Sequence, residues 1–121
     1  MLRPFALTIH VPGTLSANLR FNYTVPFDCT LRQVSAVTSN DADTTITVGT
    51  SADTDGFLAS TAIGDSNTPA EFDRGDFDGA LVSGNEARLS DGDVLVALVD
   101  YDGASGTAGA DLTLVLMLEE G

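Results

Sequence analysis

Residues 94–99 read VLVALV and residues 112–118 read LTLVLML, and these two runs decide the class of fold. Both runs are almost entirely aliphatic, and neither shows the apolar spacing of an amphipathic helix. The turn sequence SDGD (residues 90–93) precedes the first run, and the glycine-rich segment 102–109 joins it to the second. Short apolar runs between such turns predict β-strands.

Much of the remaining chain alternates apolar and polar residues, as half-buried strands do. The alternation is cleanest over residues 19–25, where Leu19, Phe21 and Tyr23 share one face. Over residues 29–38 the apolar residues fall out of phase, which predicts a β-bulge near Gln33. The further predicted strands are residues 5–11, 19–25, 29–38, 44–50, 80–82 and 86–89.

About eight short strands with turns between them predict an all-β fold. We expect a single antiparallel β-sandwich of the jelly-roll kind, formed as one domain by residues 1–121. Residues 51–79 break the pattern, because acidic residues, glycine and proline interrupt the apolar ones there. We predict a long acidic loop for this segment, with one short element near Phe57 and Leu58, and loops of that length are often functional.

The two aliphatic runs are apolar on both faces, whereas a lone sandwich buries one face of each sheet. Either the 51–79 loop or a neighbouring subunit is therefore expected to cover the second face. The predicted core residues are Leu7, Ile9, Phe21, Tyr23, Val25, Ile46, Val48, Val96, Leu98, Leu114 and Leu116. The predicted interface residues, on the outer faces of the two closing strands, are Leu95, Val99, Val115 and Met117.

The charge balance excludes some classes of partner. The 121 residues include 18 acidic and 5 basic ones, for a net charge of −13. Such a charge repels phosphate backbones, so we expect no nucleic-acid partner. We expect no membrane partner either, because no segment approaches the ~18 apolar residues of a spanning helix. The N-terminal residues do not resemble a signal peptide, which predicts synthesis in the cytoplasm.

Clustered aspartates make calcium the one metal to consider. Asp53 and Asp55 match the first half of an EF-hand loop, but Ala62 occupies the position that needs a bidentate glutamate. Asp76 and Asp78 form a second, looser cluster. These four residues are the calcium candidates, and the alternative interpretation is that they belong to solvated turns.

The sequence offers no catalytic constellation, and we expect neither an enzyme nor a cofactor. The chain has one cysteine, Cys29, and one histidine, His10, so a jelly-roll enzyme with several histidine metal ligands is not expected. A lone buried cysteine is usually a small apolar core residue. The acidic residues lie in turns, where a carboxyl group stays ionised rather than acquiring the raised pKa of a general acid.

The order of strands and turns resembles the small jelly-roll virion proteins of tailed phages, above all head decoration (cement) proteins. The resemblance covers nearly the whole chain and has no single diagnostic motif. The stretches that carry it are residues 23–31 (YTVPFDCTL), 44–49 (TTITVG), 52–57 (ADTDGF) and 89–95 (LSDGDVL).

This resemblance implies a non-enzymatic structural protein on the capsid surface of a virion. Such proteins commonly form homotrimers and clamp neighbouring subunits of the shell, so a homotrimer bound to the major capsid protein is the implied assembly. The sequence departs from the family in one respect, since no extended N-terminal arm precedes the first strand. The alternative function is a carbohydrate- or calcium-dependent binding module of a phage tail or a cell surface.

Overall fold

A computed structural model describes residues 3–73, 76–77, 87–102 and 106–121. These residues form nine β-strands and no α-helix. The strands are β1 (Pro4–Thr14), β2 (Leu19–Thr24), β3 (Cys29–Val37), β4 (Thr45–Thr50), β5 (Asp53–Ala62), β6 (Ala70–Asp73), β7 (Ala87–Leu89), β8 (Val94–Asp100) and β9 (Ala110–Glu120).

The strands form two antiparallel sheets that pack face to face. One sheet has the order β1-β9-β3-β6, and the other has the order β2-β8-β4-β5. The short strand β7 also pairs with β3, beside Cys29–Leu31, while β6 pairs with Gln33–Ala36. Because β6 and β7 share one strand position, the order is that of an eight-position jelly roll, which confirms the predicted sandwich.

The bulge predicted in the third strand is confirmed. The register of β3 against β9 shifts between Leu31 and Gln33, so Arg32 is the extra residue. The shift puts both Leu31 and Val34 into the core. The extra residue thus corrects the phase of a strand whose apolar residues do not alternate strictly.

The prediction of a loop over residues 51–79 is wrong in large part. Strand β5 occupies Asp53–Ala62 and pairs with β4, and strand β6 occupies Ala70–Asp73 and pairs with β3. The pairing of β5 with β4 breaks register twice, which disrupts the alternation that would have revealed a strand. The strand predicted at 80–82 lies outside the described residues.

The core between the sheets contains most of the residues predicted for it. Five of them are buried there: Val25, Ile46, Val48, Leu114 and Leu116. Val96 is also buried, but on the outer face of its sheet, contrary to the prediction. The other five are only partly buried: Leu7, Ile9, Phe21, Tyr23 and Leu98. Four of those five lie on β1 and β2, the outermost strands of the two sheets on one side of the sandwich.

The inward face of β8 is the opposite of the predicted one. Leu95 and Val99 belong to the core cluster and are each 1% exposed, so they are not free on an outer face. Their cross-strand partners fix this phase, since Leu95 lies opposite Tyr23 and Val99 lies opposite Ile46. In a run of six apolar residues the sequence does not show which residues face the core. Pairing with the neighbouring strands determines it.

A bulged part of β5 covers the outer face of β4 near Gly49. A β-carbon at Gly49 would lie closer than 3.0 Å to backbone atoms of Asp53, Thr54 and Gly56. Val96 lies opposite Gly49, points to the same outer face and is fully buried. The chain itself therefore covers this part of the second apolar face, with residues from the segment that was expected to be a loop.

Candidate interaction surface

A partly exposed apolar surface lies along β1 and β2. Each is the terminal strand of its sheet, with β9 or β8 as its one neighbour in the described structure. Their inward side chains are half-buried, whereas the facing residues Leu114 and Leu116 on β9 are at most 3% exposed. The half-buried side chains are Phe5, Leu7, Ile9, Val11, Leu19, Phe21 and Tyr23. We call the surface formed by β1 and β2 the β1/β2 side.

A groove of about 460 Å³ opens between the two strands on this side. Its walls come from residues 6–9 of β1 and residues 20–23 of β2, and its floor includes Leu95 and Leu116. A second groove of about 400 Å³ continues from it past Tyr23 to Phe27. The rings of Phe5 and Phe27 meet edge to face there, with centroids 5.5 Å apart. The β1/β2 side is thus a long apolar cleft with aromatic residues toward one end.

The charge of the β1/β2 side differs from that of the rest of the chain. The residues that line the larger groove include no acidic residue, and Arg20 is their one charged side chain. Arg20 Nε donates to Asn22 Oδ1 at 3.0 Å. In the second groove Arg3 pairs with Glu120 at 3.3 Å. This side therefore carries almost none of the net charge of −13.

The opposite side of the sandwich, formed by β5 and β6, is acidic. A groove lies there too, lined by residues 58–61 together with Phe72, Asp76 and Phe77. The exposed acidic residues near it are Asp53, Asp55, Glu71, Asp73 and Asp76. The two sides of the sandwich thus differ sharply in charge.

Three of the four calcium candidates lie within the described residues. Asp53 and Asp55 are exposed on β5, and Asp76 Oδ2 accepts the backbone N–H of Asp73 at 3.1 Å. Asp78 lies outside the described residues. Within the ranges that are described, no group of three or more His, Cys, Asp or Glu side chains is placed to hold a metal ion.

The predicted interface residues separate into two pairs. Leu95 and Val99 lie in the core, as described above, while Val115 and Met117 are half-exposed on the outer face of β9. Their neighbours on that face are Ala6, Thr8, Gln33 and Ser35. The homotrimer remains a prediction, and of the four candidates Val115 and Met117 are the two still placed to support it.

The single cysteine and the single histidine, Cys29 and His10, do not form a common site. Cys29 is fully buried, and burial raises the pKa of its thiol, with Asp28 and Asp93 raising it further. His10 is exposed on β1, and its Nδ1 lies 3.0 Å from Thr113 Oγ1. A buried neutral thiol is a poor nucleophile, so Cys29 acts as a small core residue.

Two aspartates, Asp111 and Asp65, have pKa values shifted in opposite directions by their hydrogen bonds. The pKa of Asp111 is lowered, because its carboxylate accepts the N–H of Gly13 at 2.8 Å and the hydroxyl of Ser39 at 2.9 Å. The pKa of Asp65 is raised by a hydrogen bond with the Asp41 side chain, then by desolvation and by the charge of Asp41. Asp111 therefore supports the fold when ionised, whereas Asp65 supports it when protonated.

Replacing Asp65 with asparagine should raise the Tm at pH 7 and leave it unchanged near pH 3. The folded-state pKa of Asp65 lies above its ordinary value, so its protonated form favours the native state and its ionised form opposes it as the pH rises. The amide removes the charge and can still donate a hydrogen bond to Asp41. Thermal unfolding at both pH values measures the effect.

Asp55→Asn is the matched control, since it removes one exposed carboxylate elsewhere on the surface. An equal rise in Tm for both variants would assign the effect to net charge and contradict the role of the Asp41–Asp65 contact.

No family model, curated protein or solved structure matches this chain. A search of the described residues finds no helix long and apolar enough to span a membrane.

Proposed function

We propose that this chain is a non-enzymatic structural protein of a virion, which decorates and stabilises the capsid of a tailed phage. The jelly-roll order of its strands carries the proposal, because this order recurs in proteins that build viral shells. A fold by itself serves many functions, so the surfaces of the sandwich must support the proposal as well.

The distribution of apolar residues supports a binding role for the outside of the sandwich. Aliphatic side chains such as Val34, Ile46 and Leu114 fill the space between the sheets and are at most 1% exposed. Other apolar residues remain accessible to another protein chain, some in surface grooves and some on the outer face of β9, where Val115 and Met117 lie. An apolar cleft of this kind marks a protein contact more often than an ordinary surface does.

The charge also suits a protein that is added to a shell from solution. A net charge of −13 keeps free copies soluble and opposes their indiscriminate association. The partner is proposed to be the major capsid protein of the same virion. The site of action is then the capsid surface, after synthesis in the host cytoplasm.

Reconstitution on capsids tests this function. Capsids are assembled from the major capsid protein encoded near this gene, and the purified chain is added in increasing amounts. We expect saturable binding at a fixed number of copies per particle and a higher temperature of capsid rupture. Binding should survive EDTA, because the proposed contact uses no metal ion.

Capsids of an unrelated phage serve as the control and should not bind the chain. Capsids that neither bind the chain nor gain thermal stability would rule the proposal out. The absence of a capsid gene near the gene for this chain would also rule it out. Binding that EDTA abolishes would favour the calcium-dependent module instead.

A further inference from the structure

We infer that the β1/β2 side is the contact surface for a second copy of this chain, with the two β1 strands antiparallel across a two-fold axis. This inference does not depend on the virion role, since it follows from the edges and charges of the sandwich. It replaces the predicted homotrimer, because Leu95 and Val99, two of its four interface candidates, are buried.

The first support is the outer edge of β1, with which no other described strand pairs. A terminal strand presents unpaired backbone N–H and C=O groups along its outer edge, and proteins usually protect such an edge from pairing. The protecting devices are short length, charged side chains, internal proline and bulges. Strand β1 is 11 residues long and contains no Lys, Arg, Asp or Glu. Its prolines, Pro4 and Pro12, and its register shift between Val11 and Thr14 lie toward its two ends. Residues 5–11 contain neither a proline nor a bulge.

The second support is the contrast with the opposite side, where the same devices are present. Strand β5 breaks register twice against β4 and carries the exposed residues Asp53 and Asp55. Strand β6 has four residues, follows Pro69 and carries Glu71 and Asp73. Among the described residues, β5 and β6 thus carry such devices, whereas residues 5–11 of β1 do not.

The third support is charge, which selects a second copy as the occupant. A basic partner would be drawn to the acidic side formed by β5 and β6, not to a groove whose one charged side chain is Arg20. Two copies that meet through their β1/β2 sides bring together surfaces that are apolar and nearly free of acidic residues. Their exposed acidic sides then point away from each other, which minimises repulsion between two chains of charge −13.

The size of the surface is adequate for a stable contact. A strand of 11 residues is about 37 Å long at ~3.4 Å per residue. Two sheets stacked ~10 Å apart, with their side chains, give a side roughly 20 Å wide. Each copy would bury roughly 700 Å², which approaches the ~800 Å² per partner of a standard interface.

The contact is isologous, since each copy uses the same surface. Leu7 and Ile9 of one copy would face the same residues of the other, and the open grooves would close against each other. Pairing of the two β1 strands joins the five-stranded sheets of both copies into one continuous sheet. The dimer thereby removes the unprotected edge.

Light scattering after size exclusion, over a series of protein and salt concentrations, tests the inference. The wild type should be a dimer that tightens as salt rises, because salt screens the remaining repulsion between acidic surfaces. Ile9→Lys should shift the dissociation constant at least 100-fold toward monomer. The lysine stem can cover the same apolar surface in a monomer, while its ammonium group would be buried in the dimer. Circular dichroism verifies that the variant folds.

Val115→Lys is the matched control, because Val115 is also half-buried but lies on the outer face of β9. It should leave the dimer intact. A monomeric or trimeric wild type, or dissociation by Val115→Lys and not by Ile9→Lys, would overturn the inference.

Hydrogen exchange gives a second measurement if Ile9→Lys does not fold. In the wild type, amides of β1 should become more protected as protein concentration rises, while those of β5 on the opposite edge should not change. Protection of β1 that is independent of concentration would also overturn the two-fold contact.

Discussion

Leu114→Ala should lower the free energy of unfolding by ~2–5 kcal/mol. Leu114 is fully buried on β9, between Ile9 of β1 and Ala36 of β3. Strands on both sides hold its surroundings in place, so the structure has little freedom to collapse into the cavity that alanine leaves. Urea denaturation followed by circular dichroism measures the change.

Val115→Ala is the control on the next residue of the same strand. Its side chain is half-exposed on the outer face, so its removal should cost less than ~1 kcal/mol. If the two variants lost equal stability, the alternation of buried and exposed residues along β9 would be contradicted.

Gly49→Ala should destabilise the fold by ~3 kcal/mol, at the upper end of the range for overpacking. The three nearest atoms to the new methyl group are backbone atoms of Asp53, Thr54 and Gly56. A flexible side chain could rotate away, but these atoms belong to the bulged part of β5 and can move only with the strand. Displacing that strand would also uncover Val96, which lies opposite Gly49.

Gly56→Ala provides the comparison within the same bulge. Its new methyl group would meet atoms of Asp53 at 3.2 Å, two of them in a side chain that can rotate. We expect less than half the loss of stability seen for Gly49→Ala, measured by the same denaturation. A larger loss at Gly56 than at Gly49 would refute the close packing of β5 over β4.

Alternation predicted the strands whose pairing is regular. Strands β1 and β2 match the predicted ranges closely, because each keeps an unbroken register over most of its length. The phase of β9 was also predictable, since Thr113 interrupts the aliphatic run on the outer face. In β8 no polar residue separates Val94 from Val99, and the predicted inward face was wrong.

Strand β5 could not be predicted from its local sequence. Asp53, Asp55 and Gly56 are poor strand formers, and they extend in the structure because β4 offers a partner with room above Gly49. The alternation of apolar and polar residues also does not predict whether a strand is central or outermost in its sheet. Leu7 and Ile9 alternate like core residues, yet they are half-exposed because β1 is an outermost strand.

Two of the calcium candidates show the same effect of strand pairing. Asp53 and Asp55 follow each other in a pattern that suits a ligating loop, but strand pairing of β5 spreads them along the edge of a sheet. The β1/β2 side, by contrast, could not be recognised before the strand order was known. Its residues come from two strands that alternate in the usual way, and their exposure depends on which strands flank them.

The order of the strands also determines when the fold can form during synthesis. Strand β9 lies between β1 and β3, and strand β8 lies between β2 and β4, although β8 and β9 follow all other strands in the chain. Until both strands have left the ribosome, each sheet lacks one of its central strands. The partner of β1 is synthesised more than 100 residues later, because Pro4 pairs with Glu119. Closing so long a loop carries an entropic cost, so the sandwich should form only once β9 is available, and slowly, in the millisecond-to-second range of all-β domains. A ribosome that stalls before β9 would hold a chain with exposed strand edges. The addition of β9 therefore protects the nascent protein from aggregation.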